Sequence, residues 1–394
     1  MGREGELVQQ LVPEFERRTP GVRVRVQQVP WSAAHEKLLT AFVGESTPDL
    51  VQLGTTWIPE LVALDALESL TARLAASASL PPADVFPGIA ETTVIDGVAY
   101  AVPWYVDTRL LFYRRDLFAA ADVAAMPRTW AAWDAAMHRV ASHLGAPRHA
   151  LLLPLTEWQP LVILALQHGA TLLRDDDQFG DFQSPAFRAA LTFYLDLFRD
   201  GLAPRTGVAQ VANVYQDFAD GFFASFWSGP WTLGELAQRL PAARQGDWAT
   251  APLPSLDADW PGVSLAGGAS LALFRRSPRK EAAWQFIEYL CAPAQQLAFY
   301  RLSGDLPARR SAWTVGALTT DARTAAFWEQ LQRVRSTPRI PEWERVAAKI
   351  SEYAEAAVRG DLAPEAALAR LDADVDVILA KRRWLRRRAA GAGS

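Results

Sequence analysis

At 394 residues the chain exceeds the usual size of one compact domain, so two domains are the first expectation, each with room for its own core. Half of the residues are hydrophobic, yet no stretch reaches the roughly 18 apolar residues that would suggest a membrane span. The net charge is −4 with both signs mixed along most of the chain, which excludes a nucleic-acid footprint and leaves small neutral partners open.

The opening "MGREGELVQQLVPEF" lacks the basic and apolar regions of a signal peptide, so a chain starting here is expected to stay in the cytoplasm. Within it Leu7, Leu11 and Phe15 recur as on a helix face, with Pro13 near a start or kink. "GVRVRVQQV" alternates Val22, Val24 and Val26 with Arg23, Arg25 and Gln27, which predicts a half-exposed strand. A helical "AAHEKLLTAFVG" then leads into the strand "LVQLG", and helical patterns follow at "IPELVALDAL" and "LTARLAAS", an α/β beginning. Asp96-Gly97 is a two-residue hairpin signal. It delivers the chain to "AVPWYVDTRLLFYRRDLF", where Asp107 stands between an aromatic run and an apolar strand-like run.

Beyond residue 118 helices dominate. Thr129 is the expected N-cap of "TWAAWDAAMHRVASHLG", and Ser184, with Pro185 at the first helical position, that of "SPAFRAALTFYLDLFRDG". "DDDQFGDF" reads as a turn rather than a calcium loop, because Phe179 and Ala186 fall where an EF-hand needs oxygen ligands. "FFASFW" reads as a strand, "WTLGELAQRL" as a helix and "APLPSLDADWPG" as a segment crossing between domains. "VSLAGGASLALF" is strand-like again, and "SPRKEAAWQFIEYL" a helix capped by Ser277. The rest is helical to about residue 380, and "KRRWLRRR" reads as a solvated helix end that could touch anionic lipid or a partner. The one cysteine, Cys291, cannot form an internal disulfide and reads as a buried apolar residue.

Enzyme motifs are scarce. The sequence contains no G-x-S-x-G, H-E-x-x-H, C-x-x-C, Walker or G-x-G-x-x-G pattern, and its five histidines show no ligand spacing. No cofactor and no metal is expected. Tryptophan at turns is what stands out: there are 15 Trp against 8 Tyr, and Trp57, Trp104, Trp227, Trp231 and Trp343 lie beside or close to Gly or Pro where an extended run ends. An aromatic face suits the C–H face of a pyranose, whose hydroxyls need polar groups around the rim. For any one of these rings a core role is as good an explanation, but the group favours a ligand.

Four segments in order, "PDLVQLGTTWIPEL", "AYAVPWYVDTRLLFYRRDLF", "FADGFFASFWSGPW" and "GGASLALFRRSPRKEAAWQFIEYL", resemble the extracellular solute-binding proteins of ABC importers, in the branch of maltose- and trehalose-binding proteins. The resemblance runs from about residue 3 to residue 385. It implies the type II periplasmic-binding-protein fold: two α/β lobes joined by crossing strands, ligand in the interlobe cleft, and hinge closure on binding. The lobes would be residues 1–106 with 260–305, and 107–259 with 306–394. It also implies a signal peptide and a first β-strand ahead of Gly2, so the natural protein is expected to be longer and periplasmic or extracellular.

Carried over position by position, the family's ligand contacts fall on Arg3 and Glu4, on His35, on Thr56 and Trp57, on Asp107, on Trp231, on Gly267 and Gly268, and on Arg339 and Trp343. Tyr105 and Trp227 join them as aromatics flanking the same segments. Thr56 and Trp57 replace the acidic and basic pair of the maltose-binding relatives, which leaves the sugar open between an α-glucoside such as trehalose or maltose and another glycoside. A glycerol-phosphate or glycerophosphodiester ligand is the alternative within the same fold. The implied partners are the sugar and the transmembrane subunits of a permease, with the protein itself a monomer and no enzyme. A rival of another class is a glycoside-acting enzyme, which needs a second carboxyl group across the scissile bond, from Glu4 or Glu342. A plain interaction scaffold with core tryptophans is the third reading.

Overall fold

The computed structural model describes residues 1–205, 213–256 and 259–392, so Asp257 and Ala258 of the expected crossing segment lie outside the described residues. The chain forms two compact units. One comprises Met1–Thr108, Gly229–Glu235 and Ala266–Pro341, the other Arg109–Ser228, Leu236–Leu265 and Glu342–Ser394. Both mix helices with short strands, as the patterning predicts. Seven strands carry the two main sheets: β1 (Leu50–Gly54), β2 (Val102–Asp107), β3 (Leu110–Arg114), β4 (Ser225–Ser228), β5 (Trp248–Ala251), β6 (Gly267–Leu273) and β7 (Leu306–Pro307).

The first unit is built on a four-stranded sheet in the order β1-β6-β2-β7, every neighbouring pair antiparallel. β2 lies inside this sheet and is buried along its length except at its last residue, Asp107. A proline inside such a strand calls for a bulge, because it cannot donate to the ladder. The bulge is there: Tyr105 pairs with Ala269 but Pro103 with Ser270, so Trp104 is passed over. One consequence is that two consecutive residues pack into the same core. Trp104 stacks on Phe299 at 4.4 Å between ring centroids, and Tyr105 lies 5.4 Å from Trp104. Cys291 is fully buried in the same cluster, where burial pushes its thiol pKa up to about 12.

Three expectations for the first unit need correction. Residues 22–30 keep their alternation, with Val22, Val24 and Val26 half-buried against the core, but form no ladder: among the described residues no strand pairs with them. The Val24 N–H instead donates to Glu16 Oε1 at 2.9 Å. The Leu7–Phe15 face is not one helix but two, Glu4–Leu7 and Val12–Arg18, joined by a 3-10 turn, with Pro13 in the first turn of the second. Ser277 does not cap its helix, which starts at Lys280; its hydroxyl accepts from the Arg279 N–H at 3.0 Å and donates to Asp49 at 2.6 Å. Elsewhere the turn chemistry holds. Asp96 and Gly97 both have positive φ and close the two-residue hairpin Val94–Ile95 to Val98–Ala99.

The second unit carries the sheet β4-β3-β5, again antiparallel, surrounded by helices that include Trp130–Leu144, Gln159–Gln167, Pro185–Arg199, Trp343–Arg359 and Pro364–Ile378. Thr129 and Ser184 cap theirs as expected, accepting from Ala132 N and Phe187 N. Arg114, at the end of β3, is buried yet fully engaged: it forks onto Asp116 at 2.6 and 2.8 Å and donates to the carbonyls of Phe218 and Ala219 at 2.8 and 2.7 Å. "DDDQFGDF" is a hairpin turn in which Asp175, Asp176 and Asp177 all take positive φ. Among the described residues no helix is long and apolar enough to cross a membrane.

Candidate functional site

In the first unit the end of β2 and the start of β6 carry a cluster of carboxylates and rings. Asp107 closes β2 opposite Gly267, at the point where the sheet's burial ends. An added Cβ on Gly229 would lie 2.5 Å from Asp107 Oδ1 and 2.0 Å from the ring of Trp231, so only a residue without a side chain lets that carboxylate and that indole meet over its backbone. Trp231 is half-buried and opens the helix Trp231–Arg239. Arg3 stands at the edge of the group, 3.5 Å from Glu235.

Behind Asp107 the polar groups form a chain. Gln52 Nε2 donates to the Tyr105 hydroxyl at 2.8 Å, the hydroxyl donates to Glu4 Oε1 at 3.3 Å, and the Trp31 Nε1–H reaches the same carboxylate at 3.1 Å. Burial, with the carboxylates of Asp305 and Glu4 nearby, holds the Tyr105 pKa well above its ordinary value, so the phenol stays protonated and able to donate. Asp305 is the residue just before β7, whose Leu306 pairs with Val106, and it lies close enough to Asp107 to feel its charge. Burial first, and then the negative charge of Glu4, pushes its pKa up to about 7, with a Ser303 hydrogen bond pulling the other way and Asp107 adding to the rise. The cluster is acidic, yet among the described residues no three His, Cys, Asp or Glu side chains are placed to hold a metal ion.

Trp31 links this cluster to a second group. Its ring lies 5.4 Å from that of Trp57, and His35 packs at 5.2 Å on the other indole while its Nε2 meets Glu60 Oε2 at 2.7 Å. Thr56 and Arg339, distant in sequence, line one small hollow with Thr55, Pro59, Ala266 and Thr337. The Arg339 guanidinium donates to the carbonyls of Glu91 and Val94 at 3.0 and 2.8 Å, tying down the end of a helix. Gly268 has φ +124°, and a Cβ there would fall 2.2 Å from the Tyr105 carbonyl; the bulged pairing with β2 by itself requires glycine.

Of the residues singled out in the sequence, Arg3, Glu4, His35, Thr56, Trp57, Tyr105, Asp107, Trp231, Gly267, Gly268 and Arg339 all belong to the first unit, and Trp227 and Trp343 to the second. Trp227 is 4 % exposed and packs 5.6 Å from Trp130, and Trp343 is 0 % exposed and makes a T-shaped pair with Trp158, so neither offers a ring face to solvent. Trp31, Gln52 and Asp305 were missed. Trp31 carried the signal used for the others, a tryptophan beside proline at the end of an extended run. Gln52 and Asp305 carried none, since their place in the cluster depends on strand pairing.

The fold has close parallels. The chain is 45% identical to the sugar-binding protein MalE from the phytopathogen Xanthomonas citri, with a TM-score of 0.93 over 98% of each chain. It is 26% identical over 387 residues to a putative binding protein of Brucella abortus (strain 2308), covering 96% of this chain and 90% of that one. It is 24% identical over 362 residues to the diacetylchitobiose binding protein DasA of Streptomyces coelicolor, covering 91% of this chain and 83% of the relative. The family described as bacterial extracellular solute-binding protein matches residues 2–297, and with that span the chain belongs to it.

Proposed function

We propose that this protein is the substrate-binding component of an ABC sugar importer, taking up a neutral disaccharide of the α-glucoside kind, such as trehalose or maltose, and passing it to a membrane permease. The observation that carries the reading is the meeting of Asp107 and Trp231 over Gly229, beside the Glu4–Trp31 pair. The indole faces suit the C–H face of a pyranose and the carboxylates accept from its hydroxyls. A charge-assisted bond is worth about 1.5 to 3 kcal/mol and a ring stack about 0.5 to 1.5 kcal/mol. A few of each, less the cost of association, reach the roughly −8 kcal/mol of micromolar binding. The kinship to a sugar-binding protein at 45% identity supports the same reading.

The carboxylates of Glu4 and Asp107 weigh against a glycerol-phosphate or glycerophosphodiester at this face, because a phosphate would meet their negative charge, with Arg3 and the Met1 ammonium nearby offsetting part of it. Binding without turnover needs no raised acid aimed at a glycosidic bond. Calorimetry of the purified protein against maltose, trehalose, other disaccharides and glycerophosphocholine tests the proposal. Micromolar binding of an α-glucoside with no glucose release is the expected result. Binding confined to the glycerophosphodiester, or release of glucose, would overturn it.

A further inference from the structure

The helix Ala380–Ala392 packs one side onto the second unit and leaves the other open. Arg383 donates to the carbonyls of Gln178 and Asp376 at 2.8 and 2.7 Å, Arg382 lies 3.8 Å from Glu342, and Arg386 lies 3.8 Å from Asp176. These contacts fix the rotation of the helix about its axis. The stripe that then faces away is Lys381, Trp384, Leu385 and Arg388, at the i, i+3, i+4, i+7 spacing of a single helix face. All four are exposed, Trp384 at 47 % and Leu385 at 50 %, and the Arg388 guanidinium lies 4.8 Å over the Trp384 ring. Val377, 74 % exposed, lies near the end of the preceding helix, Pro364–Ile378.

A solvated helix end explains the cations but not the indole and the leucine set among them. Water gains nothing from an exposed tryptophan, whereas a membrane interface takes its amphipathic ring at headgroup level and a leucine just below. Six of the chain's 40 Lys and Arg residues fall within residues 381–388, in a protein whose net charge is −4, so the basic charge is local and complementary to an anionic surface. We propose that this helix seats the protein on an anionic lipid surface, Trp384 and Leu385 entering the headgroup layer and Lys381, Arg387 and Arg388 pairing with lipid phosphates. A protein that supplies a membrane permease would thereby search in two dimensions, but the inference rests on the helix alone and not on the sugar reading.

Vesicle flotation of the full chain, without sugar, tests it. The protein should float with vesicles containing phosphatidylglycerol, stay in solution with pure phosphatidylcholine, and dissociate in molar salt. The triple variant K381E/R387E/R388E should bind at least about a hundredfold more weakly, from about fivefold per basic residue, and W384A/L385A several-fold more weakly, each with an unchanged melting temperature. Equal binding to both lipids, or full binding by the charge-reversed variant, overturns the proposal. So does binding only to vesicles that carry the permease, since the partner would then be a protein.

Discussion

Asp305 shows how one buried carboxyl can set a pH dependence. Its folded pKa of about 7 stands above the ordinary value of about 3.9. Between those two values the native state holds a proton that the unfolded chain has released, so this group's contribution to stability falls as pH rises from about 4 to 7. Asp305→Asn should therefore raise the melting temperature at pH 8, and the gain should vanish near pH 4; an unchanged difference across that range would show that the group is not strained. At Asp107 the expected effect is on the ligand. Asp107→Asn should weaken sugar binding by about ten- to a hundredfold in calorimetry, the worth of one charge-assisted bond, while thermal melting stays near that of the natural chain. Gly268→Ala is the opposite case. With φ at +124° and the Tyr105 carbonyl 2.2 Å from any Cβ, it should cost at least about 2 kcal/mol in denaturant unfolding.

Elements were legible where local chemistry decides them. Thr129 and Ser184 are short polar residues ahead of periodic apolar runs, and both accept the hydrogen bonds that such positions offer. Thr129→Ala should lower stability by about 1 kcal/mol, measurable as a shifted denaturation midpoint. Ser277 looked the same in sequence, but Asp49, more than two hundred residues away, takes its hydroxyl, so the helix starts later at Lys280. Residues 22–30 show the matching limit for strands. Alternation fixes which side chains face inward, and Val22, Val24 and Val26 do, but a ladder needs a neighbour that the segment itself cannot specify. The bulge at Trp104 had a single local sign, Pro103 inside a strand, and its position depends on the pairing with β6.

For the whole molecule, a ligand that binds the folded state alone should raise its stability by about 2.7 kcal/mol at a hundred times the dissociation constant. A differential scanning fluorimetry series with maltose, trehalose and glycerophosphocholine should thus rank the ligands in the same order as calorimetry. The α/β class came from residue type, period and turn chemistry, which are local and survive in a linear string, and the family and the candidate residues Glu4, Asp107 and Trp231 came from the resemblance that four segments carry. The pairing of β7 with β2 that brings Asp305 near Asp107, and the burial of Trp227 and Trp343, did not come from the sequence. A tryptophan beside glycine or proline reads the same whether its ring faces a ligand or a core. Only packing between segments far apart in the chain decides which, since burial belongs to the surroundings of a side chain and not to the side chain.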